Sequence, residues 1–303
     1  MKRFFTPRIN GALVSNFLGF TAITINSVLH TFRDNVMIYS EFVIVPMLMG
    51  LICAWFWRDL KLYKMELFGN IWLNCLLTIV LSALILHEGV ICLIIVSPLL
   101  LLFMTIGAFI GRAMFKKNNQ TLNVSVVSIL MFLFISDSLA THEYGHLVSD
   151  QVVINAPVSK VWPHVVAFKR IQQKEKYWLF RIGLPSPVQS TVEGYYLGAK
   201  RKCIFSNGYV FDEKIVTYEP NHNLTFDVTG QPRDPEIMEH LDLQRGQFLL
   251  KDNGDNTTTL TGNSWYKLYV LPGWYYDTWA QSIVRNVHIR VMEHIKVLSE
   301  QKL

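Results

Sequence analysis

The sequence predicts an α-helical membrane bundle of about five spans, followed by an α+β domain in which a curved antiparallel sheet wraps a long C-terminal helix. Three observations predict it. Apolar runs separated by short basic clusters fill residues 1–141; from Val148 the apolar period changes to two; and the C-terminal segment carries an apolar stripe at three- and four-residue steps. Composition agrees, since 303 residues at 51% hydrophobic and 17% charged fit neither an ordinary soluble protein nor a wholly membrane-embedded one. The net charge is +5, and much of the excess lies beside the apolar runs, which speaks for membrane topology and against nucleic-acid binding.

Taken in order, the runs long enough for a bilayer core of roughly 20 residues are Gly11–His30, Val36–Trp57, Leu67–Leu86, Val90–Gly111 and Leu122–Ala140. The first is the weakest, with Asn16, Asn26 and several hydroxyls. Lys2, Arg3 and Arg8 precede it, Arg58, Lys61 and Lys64 follow the second run, and Arg112, Lys116 and Lys117 follow the fourth. With basic clusters on one side, five crossings place the N-terminus in the cytoplasm and the second half outside, on this reading at a bacterial inner membrane. Polar residues in the later runs are few, Glu41, Asn74, Asp137 and the hairpin Glu88 chief among them, too few for a transport path, so the bundle reads as an anchor.

After a connector at 142–147, the elements of residues 148–303 follow a regular order. Val148–Ile154 is a predicted strand, and Val158–Phe168 a helix with Val161, Trp162, Val165 and Val166 on one face. Six more strands are expected at about Gln189–Tyr196, Ala199–Ser206, Tyr209–Tyr218, Asn223–Thr229, Gly246–Asp252 and Thr257–Val270. Leu197-Gly198, Asn207-Gly208, Glu219-Pro220-Asn221 and Asn253-Gly254-Asp255 supply hairpin turns between them. The final helix, about Trp274–Ser299, repeats Tyr276, Trp279, Ile283, Val287, Val291, Ile295 and Leu298, a stripe for the sheet.

The segment Ile154-Asn155-Ala156-Pro157-Val158-Ser159-Lys160-Val161-Trp162 resembles the opening of the START and polyketide-cyclase superfamily, the helix-grip fold. Segments Gly198–Phe205, Glu213–Pro220 and Leu224–Val228 resemble the strands that follow, so the resemblance covers about half the chain. It implies a hydrophobic cavity between sheet and long helix, used for lipids, sterols, polyketides or hormones, and no shared catalytic residue.

On that resemblance the expected function is membrane-anchored binding, with transfer, of a hydrophobic lipid-like molecule, its partners being membrane lipids and the ligand. Candidate cavity residues are Phe205, Phe226, Phe248, Trp265, Tyr266, Trp279, Ile283 and Val287, with Glu193 and Arg290 among the polar groups that would orient a headgroup. Arg201, Asn263, Asn286 and His294 lie on or beside the same surfaces, and the polar stretch Gln231–His240 is a mouth-loop candidate. One alternative is a cyclase- or dehydratase-type enzyme in the same cavity, for which Glu193 or His294 would serve as acid or base. The other is a zinc peptidase, because His142-Glu143-Tyr144-Gly145-His146 fits H-E-x-x-H, with His142 and His146 as zinc ligands on one helical face. Gly145 and the strand expected by Val148 oppose that helix, so no cofactor is expected. Cys203, alone in the second half, reads as buried packing.

Overall fold

The computed structural model describes residues 6–30, 40–116, 120–138, 144–232 and 241–301. Two compact units divide the chain, Met1–His142 with Tyr269–Pro272, and Glu143–Leu268 with Gly273–Leu303.

In the first unit, helices occupy each of the five predicted positions: α1 (Pro7–His30), α2 (Val45–Phe56, preceded by a π-helical turn at Ser40–Ile44), α3 (Lys64–Ile85), α4 (Val90–Lys116) and α5 (Gln120–Ser138). The expectation of about five spans is nonetheless overturned. Among the described residues only two helices are long and apolar enough to cross a bilayer, Lys64–Ile85 and Val90–Phe115. The regular part of α2 is 12 residues, about 18 Å at 1.5 Å per residue, short of a hydrocarbon core of roughly 30 Å. In α1, Asn16 is a buried hydrogen-bonding residue and not a lipid-facing one: its Nδ2 donates to Asn74 Oδ1 at 2.7 Å. Thr78 donates to Asn16 at 2.8 Å and Asn74 to Ser15 at 3.1 Å, so α1 and α3 are joined by a closed polar cluster. Without five crossings, the basic clusters no longer place the second unit outside the cytoplasm. Arg33 and residues 139–143 lie outside the described residues, and with them the start of the connector expected at 142–147, whose remaining residues belong to a strand that begins at Tyr144.

Small residues set the approach of α2 to α4. A Cβ on Gly50 would stand 2.0 Å from the Met104 carbonyl oxygen, and one on Gly107 would stand 2.0 Å from that of Met47. Ala54 and Gly111 continue the contact one turn away.

The second unit follows the predicted order closely. Strands β1 (Tyr144–Ile154), β2 (Pro187–Val192), β3 (Lys200–Phe205), β4 (Val210–Glu219), β5 (Asn223–Gly230), β6 (Leu241–Asp252) and β7 (Thr258–Leu268) form one antiparallel sheet in the order β1-β7-β6-β5-β4-β3-β2. Between β1 and β2 lie α6 (Val158–Val166) and the short α7 (Trp178–Arg181); α8 (Gly273–Glu300) closes the chain. Consecutive strands pair because tight turns join them: Gly208 at φ 88° and Gly254 at φ 82° take backbone that a side chain would strain.

α8 packs against β1, β7 and also β2, the two edges of the sheet included. Seven flat strands would be about 29 Å wide at 4.8 Å spacing, far more than one helix covers. The sheet is therefore curved around α8, the helix-grip arrangement. The core lies on the concave side and at α6, where Ile154, Val161, Val165, Ile215, Leu224, Leu260 and Ile295 are buried.

Candidate functional site

Side chains of alternate residues point to opposite faces of a strand, so the concave face is read directly from the register. It receives Arg201 and Phe205 from β3, Phe211 and Glu213 from β4, Phe226 from β5, Phe248 from β6 and Ser264 from β7. With Val287, His288 and Val291 of α8, these line a cavity of about 80 Å³ between sheet and helix. Five phenylalanines (Phe168 included) belong to its wall.

The polar part of that wall is a buried ion pair. Arg201 and Glu213 face each other across β3 and β4, are 2% and 6% exposed, and are joined by a direct hydrogen bond. Arg201 Nε also donates to the Val166 carbonyl at 3.0 Å, at the end of α6, and its guanidinium lies 4.6 Å from the Phe226 ring centre. Burial pushes the Glu213 carboxyl above the ordinary carboxylate range, and Arg201 opposes that shift. Cys203 also lines the cavity, where burial first and Glu213 second push its thiol up to about 12. It is therefore an inert thiol, as the sequence suggested.

Of the predicted cavity residues, the structure brings Phe205, Phe226, Phe248 and Val287 together. Trp265 points to the convex side and lines a polar groove with Asp227, Gln231 and Arg245, because its neighbour Tyr266 takes the inward position. Tyr266 is buried beside the cavity, donating to Asp277 Oδ1 at 2.6 Å and stacked on His146 at 5.4 Å. Trp279 packs edge-on against Trp178 at 6.3 Å, and Ile283 is half-buried outside the cavity wall. The innermost line of α8 runs through Tyr276, Ala280, Val284, His288, Val291 and Ile295. Glu193 is exposed in the turn after β2. Arg290 donates to the Pro187 carbonyl at 3.1 Å and reaches Glu175 at 3.8 Å, tying α8 to β2 without entering the cavity. His294 is bound by the Lys169 carbonyl at 2.8 Å and Gln173 at 3.0 Å, so it closes a loop.

His142 and Glu143 lie outside the described residues, as does most of the mouth-loop candidate, 233–240. His146 stands on β1, in extended backbone, where residues four apart do not share a helical face. Its Nδ1 is 3.2 Å from Asp277. Among the described residues no group of three or more His, Cys, Asp or Glu is placed to hold a metal.

Burial lowers the affinity of His164, His288 and His294 for a proton; it is the leading cause for each, with Asp150 opposing it at His288 and the Lys169 carbonyl opposing it at His294. The folded state therefore holds these rings neutral at a pH where the unfolded chain protonates them. Stability is full above roughly pH 6.5, the ordinary histidine value, and falls as pH drops below it. Thermal unfolding of the full-length protein between pH 7.5 and 5 is expected to show a falling midpoint, with His294→Gln flattening the slope. A midpoint unchanged down to pH 5 contradicts this.

The chain matches no protein-family model and no curated protein sequence. Solved structures similar to it include truncated norcoclaurine synthase from Thalictrum flavum, at 9% identity, 54% of this chain, 99% of that chain and TM-score 0.38. A protein of Mesorhizobium loti gives 18% identity over 52% of this chain and 100% of that one, TM-score 0.36. A protein of Nitrosospira multiformis gives 16% identity over 50% and 94%, TM-score 0.35.

Proposed function

We infer that the second unit binds a small, largely apolar, lipid-like molecule between its sheet and α8, and that the first unit anchors it at a membrane. The observation that carries this is the phenylalanine-walled cavity with the Arg201–Glu213 pair in its side. Apolar walls with a few fixed polar groups suit a ligand with one polar end. At about 80 Å³ the space is smaller than the roughly 150 Å³ that admits benzene, so even one ring enters only as wall side chains shift. A longer molecule inserts its apolar end. Anchoring is supported by the two helices Lys64–Ile85 and Val90–Phe115, which keep the binding unit at high local concentration beside lipid.

The test uses full-length protein in lipid nanodiscs, titrated with 4-fluorophenol and followed by ¹⁹F NMR. Saturable binding is expected, and Val287→Phe, which fills the cavity from α8, is expected to abolish it without lowering the unfolding midpoint. Binding that survives Val287→Phe places the ligand elsewhere and ends this reading.

A further inference from the structure

The concave face holds a second polar group that the ligand-binding reading does not use. Ser264 is the inward residue of β7, Asp150 the inward residue two positions along on β1, whose register partner is Gly262. His288 comes down on them from α8. Its Nε2 is 2.7 Å from Ser264 Oγ and its Nδ1 is 3.0 Å from Asp150 Oδ2. His288 and Asp150 have side chains 6% and 8% exposed, and Arg285 Nε fixes the other Asp150 oxygen at 2.7 Å. Ser264 and His288 both line the cavity where a ligand would lie.

We propose that Ser264, His288 and Asp150 form a nucleophilic triad that transfers short acyl groups from esters bound in the cavity. The proposal rests on the reading of that cavity as a ligand site. Three features set it apart from a mere helix-to-sheet clasp. The order of contacts is the one a triad requires: the carboxylate accepts from Nδ1, which leaves Nε2 to accept from the hydroxyl. Burial holds the imidazole neutral, the form a general base needs. Ser264 also lines a cavity.

In the first half-reaction Ser264 Oγ adds to the ester carbonyl carbon while its proton passes to His288 Nε2. The adduct then breaks the bond to the alcohol oxygen, which leaves with that proton. In the second, water adds to the acyl-serine carbon and gives a proton to Nε2. The acyl–Oγ bond breaks, that proton returns to Oγ, and the carboxylic acid departs. A cavity of about 80 Å³ holds about three water-sized groups, which limits the acyl part to a few heavy atoms.

The experiment treats full-length protein in nanodiscs with methanesulfonyl fluoride, whose S–F bond is replaced by an S–Oγ bond with loss of HF. Peptide mass spectrometry locates the label, and hydrolysis of p-nitrophenyl acetate is followed in parallel. Labelling at Ser264 is expected, absent in Ser264→Ala and slowed about 100-fold or more in His288→Gln. Asp150→Asn, a change at a positioning residue, is expected to lower kcat with KM unchanged, which a purely structural bond would not do. Should Ser264→Ala fold poorly, Ser264→Cys keeps a donor to His288 and is expected to react with iodoacetamide at least about tenfold faster than Cys203. An unlabelled Ser264 in a protein that still binds 4-fluorophenol overturns the triad and leaves the ligand site standing. So does labelling that His288→Gln leaves unchanged. Loss of 4-fluorophenol binding in the unaltered protein removes the cavity reading, and the triad with it.

Discussion

Glu213→Ala is expected to destabilise the second unit by about 3–5 kcal/mol, because it strands a buried cation. Arg201 is 2% exposed and cannot reach water without opening the sheet. Its other contacts, the Val166 carbonyl and the Phe226 ring, do not neutralise it. The effect should come from the stranded charge and not from the loss of the pair as such, and a double variant separates the two. Arg201→Met with Glu213→Leu removes both charges and fills similar volume, and such replacements of buried pairs are neutral to stabilising by about 1–4 kcal/mol. Thermal unfolding followed by near-ultraviolet circular dichroism is the measurement. The double variant is expected near or above the parent midpoint, and Glu213→Ala far below it. If the double variant is as unstable as the single one, the pair is a net stabiliser and the argument fails. Ligand binding gives a second readout: a double variant that folds well yet no longer discriminates phenol from benzene identifies the pair as the part of the wall that recognises a polar end.

The antiparallel meander of consecutive strands and the long helix were legible in the sequence because their signals are local, whereas the pairing of β1 with β7, far apart in the chain, has no local signal. Turns such as Asn207-Gly208 and Asn253-Gly254 fix which strands are neighbours, and alternation fixes which residues share a face. What was not legible is rotational phase. On α8 the most apolar line, Trp279, Ile283 and Val287, lies one residue from the most buried line, which contains Ala280 and His288. Apolarity alone assigns a histidine to the outside, and only the acceptor on β1 and the hydroxyl on β7 make its burial favourable. The signal was present all the same: His288 follows Tyr276, Ala280 and Val284 at steps of four, and Ser264 alternates inward with Leu260 and Tyr266. Trp265 and Tyr266, adjacent in one strand, cannot both face the cavity, and the inward place goes to the residue in phase with Leu260. The span number failed for a different reason. Apolar content counts a run the same way whether it faces lipid or other helices, and the short α2 is buried among its neighbours.

That burial makes Gly107, across from α2 on α4, a sensitive position of the first unit. Gly107→Ala is expected to cost more than about 3 kcal/mol, beyond the usual range for overpacking, because the added methyl would meet backbone and not a flexible side chain. The Met47 carbonyl oxygen stands 2.0 Å from the Cβ position, and the Met47 carbonyl carbon 2.8 Å. A methyl cannot fit until the helices part, and parting them breaks the matching approach of Gly50 to Met104 on the other side of the contact. Ala54 and Gly111 would separate too, so the loss spreads along the α2–α4 seam that small residues allow. Gly69 is the control. It lies in α3 with nothing within 4 Å of its Cβ position, and alanine there should help the helix by up to about 1 kcal/mol. Both variants make the same chemical change in an apolar helix, so membrane insertion and helix propensity cancel between them. Thermal aggregation of the detergent-solubilised full chain, read by size-exclusion chromatography after heating, is expected to put Gly107→Ala well below the parent and Gly69→Ala at or above it. Equal behaviour of the two would mean that α2 and α4 do not approach at backbone distance.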